Sequence, residues 1–502
     1  MVLEAAVTLF LAVCVSALAF QWEWERWHRR RKLPPVVNLL QHVVLFWRSW
    51  RSGMLKPLME VKEKFGPVFT LYMRFQRFVV LSSYDAVKEA LVDHAVEFGS
   101  RGAMYSLERL FKGHGVILVN GERWKQLRRF SSSTLKNFGM GKRSIEEQIQ
   151  VEAQHLVEAI REKKGSPFNP ALLTTHAVSN ITCSIVFGNR FDYEDENFLN
   201  LMGSMNNFFL EMSNQWNMLY EICPRILQFL PGPHKRVPRI YKTLHEFILE
   251  RVRINQQSLD PSCPRDYIDS FLIRMEQEKQ NPLSEFHTTS LVENVIQLFI
   301  AGTETTSSTL RYGFLLLAKY PEVQDKVHEE IDGVIGQTHG PGMQHRSRMP
   351  YTNAVIHEIQ RFANILPLGL LHKVACDTHF QGYFLPKDTP VCISLSTVLH
   401  DPKYFKDPES FDPGHFLDEN GCFKQNDAFL PFSAGKRVCL GKSLALMELF
   451  LILTTILQRF TLTSPKPPQE INLTPKVNIL VNVPPSYELY VLPREDGLQD
   501  RA

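Results

Sequence analysis

The chain of 502 residues has a formal net charge of +3, close to neutral for its size, which argues against nucleic acid as a main partner although local basic clusters still count. Length alone suggests about three domains, yet no Gly/Ser linker, repeat or low-complexity tract divides the sequence after residue 40, so residues 41–502 read as one large, mainly helical domain with a small β-rich part. The cysteines, at 14, 183, 223, 263, 376, 392, 422 and 439, are scattered and contain no Cys-x-x-Cys. They point to reduced thiols in a cytosol-facing domain and away from a disulfide framework or zinc site.

Residues 2–20 form an apolar run of the length that crosses a bilayer as a helix. Ala17-Leu18-Ala19 resembles a signal cleavage site, but no basic residues precede the run, whereas Arg26, Arg29, Arg30, Arg31 and Lys32 follow it. That asymmetry predicts an uncleaved anchor over 1–20 with everything downstream cytosolic, and Trp22, Trp24 and Trp27 suit the interface. Residues 21–40 then form a basic, aromatic linker that ends in a short proline hinge at Pro34-Pro35. Further on, Arg74 and Arg77 stand where a hairpin ordinarily has Gly or Pro, which predicts compromised turn chemistry in the first β segment.

Trp124 and Arg128, four apart, share a helix face. Basic residues recur at Lys125, Arg129, Lys136, Lys142, Arg143, Lys436 and Lys442, and such runs are most often solvated faces. The sequon Asn180-Ile181-Thr182 goes unused in a cytosolic domain. Helical patterning predicts helices over 144–163, 197–221, 242–258 and 288–319. Within the last, Ala301-Gly302-Thr303-Glu304-Thr305-Thr306 puts small residues, an acid and alcohols mid-helix. Glycine there costs about 1 kcal/mol and a buried acid more unless partnered; the alternative is threonines bonded back to the preceding turn. The stretch 216–233, with Trp216, Leu219, Tyr220, Ile222, Phe229 and Leu230, suits either a membrane-dipping segment or a buried helix–loop–helix.

Glu358 and Arg361, three apart, project from one helix face. The most telling string is Phe432-Ser-Ala-Gly-Lys-Arg-Val-Cys439-Leu-Gly441. A thiolate that holds haem iron needs shielding from water, backbone N–H donors and room for the porphyrin. Gly435 supplies the turn, Gly441 the room, Phe432 a cover for the sulfur of Cys439, and Arg437 a countercharge for a propionate.

This string resembles the haem-binding signature of the cytochrome P450 superfamily, and the chain from about Phe65 to Leu492 is similar to microsomal members of family 2, above all the 2C-type subfamilies. The resemblance implies the P450 fold, heme b with Cys439 as axial ligand to the iron, and propionate contacts from Arg101, Trp124, Arg128, His372 and Arg437. It implies that Ala301 and Gly302 leave space for dioxygen and that Glu304 and Thr305 manage protons and water. Glu358 and Arg361 become a structural lock with His415, a histidine where arginine is common, which leaves the lock partly neutral. Substrate-facing positions carry Leu110, Phe111, Val116, Phe208, Phe209, Ile296, Phe299, Leu366, Leu368, Leu370, Leu480 and Val481.

The implied reaction is insertion of one oxygen atom from O2 into apolar or amphipathic molecules (xenobiotics, steroids, fatty acids such as arachidonate, the last drawn by Arg109 and Lys112). NADPH electrons would arrive through NADPH-cytochrome P450 reductase, docked on the basic residues, with cytochrome b5 as a second partner, at the endoplasmic reticulum membrane. Two alternatives stay open: a reductase-independent haem-thiolate isomerase or dehydratase, against which Glu304-Thr305 and the basic residues speak, and a non-enzymatic haem or lipid binder that consumes no NADPH.

Overall fold

The computed structural model describes residues 32–494, apart from 39–40, 42–44, 46–47, 49–54, 74–75, 103, 139–142 and 477–479. The expected anchor over 1–20 and most of the linker lie outside the described residues, and among the described ones no helix is long and apolar enough to cross a membrane.

The helices that build the site are α1 (Tyr105–Phe111), α2 (Gly121–Asn137), α3 (Arg143–Arg161), α4 (Ala171–Val186), α5 (Glu196–Met212), α6 (Gln215–Ile222), α7 (Arg236–Gln257), α8 (Thr288–Lys319), α9 (Pro350–Ala363) and α10 (Lys442–Arg459). Helix α8 has the bounds its periodicity predicts. It starts at His287, whose ring nitrogen accepts from the Ser290 N–H, and it is buried over most of its length because helices surround it. Its tightest neighbour is α4: a Cβ at Gly302 would lie 2.9 Å from Thr182 Oγ1, so glycine permits the approach. On another side, Gly313 lets α8 meet Ile359 of α9. The phenylalanines Phe198, Phe271, Phe299 and Phe314 fill the surrounding core, each contributing about 1.5–3 kcal/mol by leaving water.

The helix expected over 197–221 is two, α5 and α6. Asn214 breaks it, because its side-chain oxygen accepts from the Asn217 N–H at 2.7 Å and caps a new helix. Conversely α7 begins at Arg236, earlier than expected, since Pro238 falls in its first turn, where no N–H is missed. Asn180 is 2 % exposed within α4 and donates to the Phe191 carbonyl at 2.9 Å, so the sequon is closed in the folded chain.

A five-stranded sheet has the order β1-β2-β7-β4-β3, with β1 Val68–Met73, β2 Gln76–Leu81, β3 Ser100–Arg101, β4 His372–Lys373 and β7 Pro390–Ile393. Two further pairs are β5 (Thr378–Phe380) with β6 (Tyr383–Leu385) and β8 (Phe460–Thr463) with β9 (Tyr490–Pro493). The hairpin expected to be compromised pairs along its whole length, from Val68↔Leu81 to Met73↔Gln76. Burial of Val68, Phe69, Val79, Val80 and Leu81 sets the register without ideal turn residues. At the far edge Arg101 pairs with His372, which delivers both to the site.

Candidate active site

The loop before α10 is wound tightly around Cys439. Ser433 (φ +60°) and Gly435 (φ +70°) adopt left-handed backbone, and the Cys439 N–H donates to the Phe432 carbonyl at 3.0 Å. A Cβ at Gly435 would fall 1.8 Å from the Leu91 carbonyl oxygen, so only glycine fits. The sulfur faces a cavity enclosed by α2, α4, α8, α9 and α10. Burial raises the Cys439 pKa, while the Gly441 and Lys442 N–H groups and the charges of Arg128 and Lys442 act against that rise and favour the thiolate. Gly441 also lines the cavity, and a Cβ there would have no atom within 4 Å.

Beside the sulfur three guanidiniums converge. Arg437 donates to the carbonyls of Gly99 (2.9 Å) and Val119 (2.8 Å) and lies 3.9 Å above the Trp124 ring. Arg101 donates to the Leu370 carbonyl at 3.2 Å and to His372 Nε2 at 2.7 Å. Arg128 donates to the Val438 carbonyl at 2.5 Å. Burial and mutual repulsion lower Arg437 to about 9 and Arg101 to about 10, and burial lowers Arg128. Among the described residues none of the three is paired with a carboxylate, and Arg101 Nε and Arg437 Nη1 have no hydrogen-bond partner. A group bearing two carboxylates, as haem does, satisfies this wall. The thiol, the open glycine and the orphaned guanidiniums therefore fit the cofactor together.

His372 stands behind that wall, not on the cavity. Its Nδ1–H donates to the Phe98 carbonyl at 2.7 Å and its Nε2 accepts from Arg101, so it positions Arg101; burial lowers its pKa to about 3. Asn120, absent from the sequence-based candidates, stitches the cluster: its oxygen accepts from the Arg101 N–H (2.6 Å) and from Arg437 (2.9 Å). It precedes α2 in the cap position but makes no cap hydrogen bond; a cap residue spent elsewhere leaves no signal in sequence.

On α8 the stripe Ala301, Thr305 and Thr309 faces the cavity, with Gly302 and Thr306 beside it. Thr305 also donates back to the Ala301 carbonyl at 2.8 Å. Glu304 does not reach the cavity. It accepts from Ser308 Oγ and Arg311 Nη2, both at 2.7 Å, in a buried pair along the next stripe of the helix. The acid expected beside Thr305 is thus turned away by about 100°.

Of the expected substrate positions, Val116, Leu366 and Leu370 line the cavity. Phe111, Phe208, Ile296, Phe299 and Val481 are buried, and Leu110, Leu368, Phe209 and Leu480 partly buried against core clusters, none of them on the cavity wall. Helical spacing cannot separate a pocket face from a core face. The cavity's remaining apolar wall comes from residues the sequence did not single out, including Ile185, Leu298, Ile365 and Leu395.

The Glu358–Arg361 pair is fully buried in α9, with both guanidinium–carboxylate contacts at 2.7 Å. Arg361 also donates to the carbonyls of Leu399, Pro408 and Ser410, which ties α9 to the chain before the cysteine loop. His415 was expected to leave this lock partly neutral. Burial opposes its charge, but Nδ1–H donates to Glu358 at 3.1 Å and Nε2–H to the Lys406 carbonyl, and its pKa is raised. Two acceptors for two ring nitrogens favour the imidazolium.

A thiol-centred, arginine-capped cavity inside a mainly helical fold defines a haem-thiolate protein. The family model described as Cytochrome P450 matches residues 32–491. Cytochrome P450 2G1 of Oryctolagus cuniculus is 51% identical over 494 residues, covering 98% of this chain and 100% of the relative. Cytochrome P450 2A13 of Homo sapiens is 48% identical over 494 residues (98% and 100%), and cytochrome P450 2C25 of Mesocricetus auratus 48% identical over 485 (97% and 99%). The chain belongs to the cytochrome P450 family, and these relatives all carry family 2 names. It is a P450 monooxygenase whose cofactor is haem on an axial cysteine thiolate, with O2 and NADPH as cosubstrates.

Gly435→Ala should abolish haem loading, read as loss of the red-shifted Soret band of the reduced carbon monoxide complex; a loaded, stable Gly435→Ala protein would contradict the contact with Leu91. Because His415 has a raised folded pKa, its stabilising contribution is complete below its ordinary value near 6.5 and is lost as pH rises through the folded value. Unfolding midpoints of wild type and His415→Gln should therefore converge as pH rises from about 6 towards 9, and a gap that stays constant over that range would refute the charged lock.

Proposed function

We propose that Cys439 is the axial ligand and that Arg101, Arg128 and Arg437, with Trp124, hold the haem propionates. The observation that carries this reading is the convergence of three guanidiniums, none of them paired with a carboxylate among the described residues, on the wall that presents the sulfur. The haem supplies the electron and oxygen chemistry when bound. The chain's part would be to hold the sulfur dry, to balance two carboxylates, and to keep Thr305 where its hydroxyl could pass a proton or order a water within the cavity.

The apolar wall formed by Val116, Leu298, Ala301, Ile365, Leu366 and Leu370 supports apolar or amphipathic organic substrates, oriented by shape more than by polar contacts. Arg109, expected to attract a fatty-acid carboxylate, donates to Tyr220 at 2.7 Å, which leaves the exposed Lys112 for that task. Lys125, Arg129, Lys136, Arg143, Lys436 and Lys442 are exposed and suit an acidic electron donor, NADPH-cytochrome P450 reductase or cytochrome b5; Lys142 lies outside the described residues. In and after α6, Trp216, Leu219, Ile226, Phe229 and Leu230 are exposed, an apolar group that suits contact with the endoplasmic reticulum membrane. Of the two readings of 216–233, this exposure favours the membrane.

Cys439→Ala in membranes expressing the full chain should eliminate the red-shifted reduced carbon monoxide band; if the band survives, another residue is the ligand. Arg129→Glu should lower reductase-driven turnover and weaken its salt dependence while leaving turnover with an organic peroxide intact. Equal losses with both electron sources would remove Arg129 from the docking face.

A further inference from the structure

The sheet edge that carries Arg101 is closed by a side chain. Asn120 Oδ1 accepts from the Arg101 N–H at 2.6 Å, and its Nδ2 donates to the Arg101 carbonyl at 2.9 Å, so one amide pairs with the backbone of β3 as a neighbouring strand would. The same oxygen accepts from Arg437 Nη2 at 2.9 Å. Asn120 also immediately precedes α2, which carries Trp124 and Arg128. A single residue thus joins the edge strand, the cysteine loop and the helix that supply the three guanidiniums, while it stays off the cavity wall that they line.

Electrostatics alone would put a carboxylate at this place. Aspartate is as good a helix cap as asparagine, offers an oxygen to the same two donors, and would be drawn by three cations. Arg101 and Arg128 repel Arg437, a repulsion that an acid would relieve and an amide does not. The amide provides instead an acceptor without charge, together with the N–H that an acid lacks for the Arg101 carbonyl. Arg101 Nε and Arg437 Nη1 remain without a hydrogen-bond partner. The cluster is fixed in place and left positive.

We propose that Asn120 is a positioning residue for the haem: its neutral amide holds Arg101 and Arg437 in place and reserves their charge for the two propionates. The inference rests on the assignment of those arginines to the propionates. An aspartate at 120 would be an internal rival to the cofactor's carboxylates, because each guanidinium it paired would attract a propionate less. It would also add a negative charge beside the haem site, which favours ferric over ferrous iron.

Asn120→Asp and Asn120→Ala in the full-chain holoenzyme separate charge from geometry. Haem transfer to excess apomyoglobin should be several-fold faster in both variants than in wild type, since both lose the bond to the Arg101 carbonyl and Asn120→Ala loses all three bonds. Only Asn120→Asp should also shift the ferric/ferrous midpoint to a clearly more negative potential and weaken hydrogen bonding to the propionates, read from their bending mode in resonance Raman spectra. Equal potentials in wild type and Asn120→Asp overturn the proposal, as does a shift of the same size in Asn120→Ala, which would make Asn120 a structural support only. If Asn120→Asp does not load haem, Asn120→Ala decides: it should load and then lose haem faster, and wild-type retention or a failure to load overturns the proposal. Arg101→Lys reports separately on the underlying assignment. It should move the propionate mode, and an unmoved mode would defeat the propionate reading whatever the Asn120 variants do.

Discussion

Three positive charges gathered inside a protein, with no carboxylate among the described residues to meet them, form the constraint around which this fold is arranged. Arg101, Arg128 and Arg437 come from a sheet edge, a helix and the cysteine loop, elements far apart in sequence. Backbone carbonyls hold each of them, and an aromatic face lies against Arg437, interactions that orient a guanidinium without neutralising it. The cluster is therefore pre-organised for an external dianion, and cofactor binding contributes to the stability of the whole chain because it relieves a repulsion the apoprotein carries.

The supports of that cluster are structural in an exact mechanical sense. The short β3–β4 pairing sets Arg101 opposite His372, and the neutral imidazole, accepting at Nε2, aims the guanidinium without adding a fourth charge. In α9 the Glu358–Arg361 pair gathers three carbonyls of the segment before the cysteine loop. Removing one partner of such a buried pair typically costs about 3–5 kcal/mol. Lock and arginine cluster thus clamp the loop from both ends, and the Gly435–Leu91 contact leaves it a single path.

The cysteine loop and α8 were legible in the sequence because each needs residue types that are costly anywhere else: a left-handed glycine in one, small and polar residues mid-helix in the other. The lock was legible as a spacing, though the charge state of His415 was not, since it depends on the Lys406 carbonyl that the fold brings to the second ring nitrogen. Glu304 was misplaced by adjacency, as neighbours in a helix point 100° apart and Arg311 captures one stripe while Thr305 faces another. Phe208, Ile296 and Phe299 have the composition of a pocket and the burial of a core, and no periodicity distinguishes the two. Asn120 left no trace, because its partners come from other elements of the fold.

The closed sequon gives the fold a safeguard against misrouting. Glycans are attached to an extended chain before its helices pack, and an Asn180 modified in that way could no longer donate to the Phe191 carbonyl or fit the interior of α4. A copy threaded into a glycosylating compartment would thus be marked at a position where a sugar and the native core are mutually exclusive. A chain glycosylated there would end unfolded and exposed to quality control, not as active enzyme.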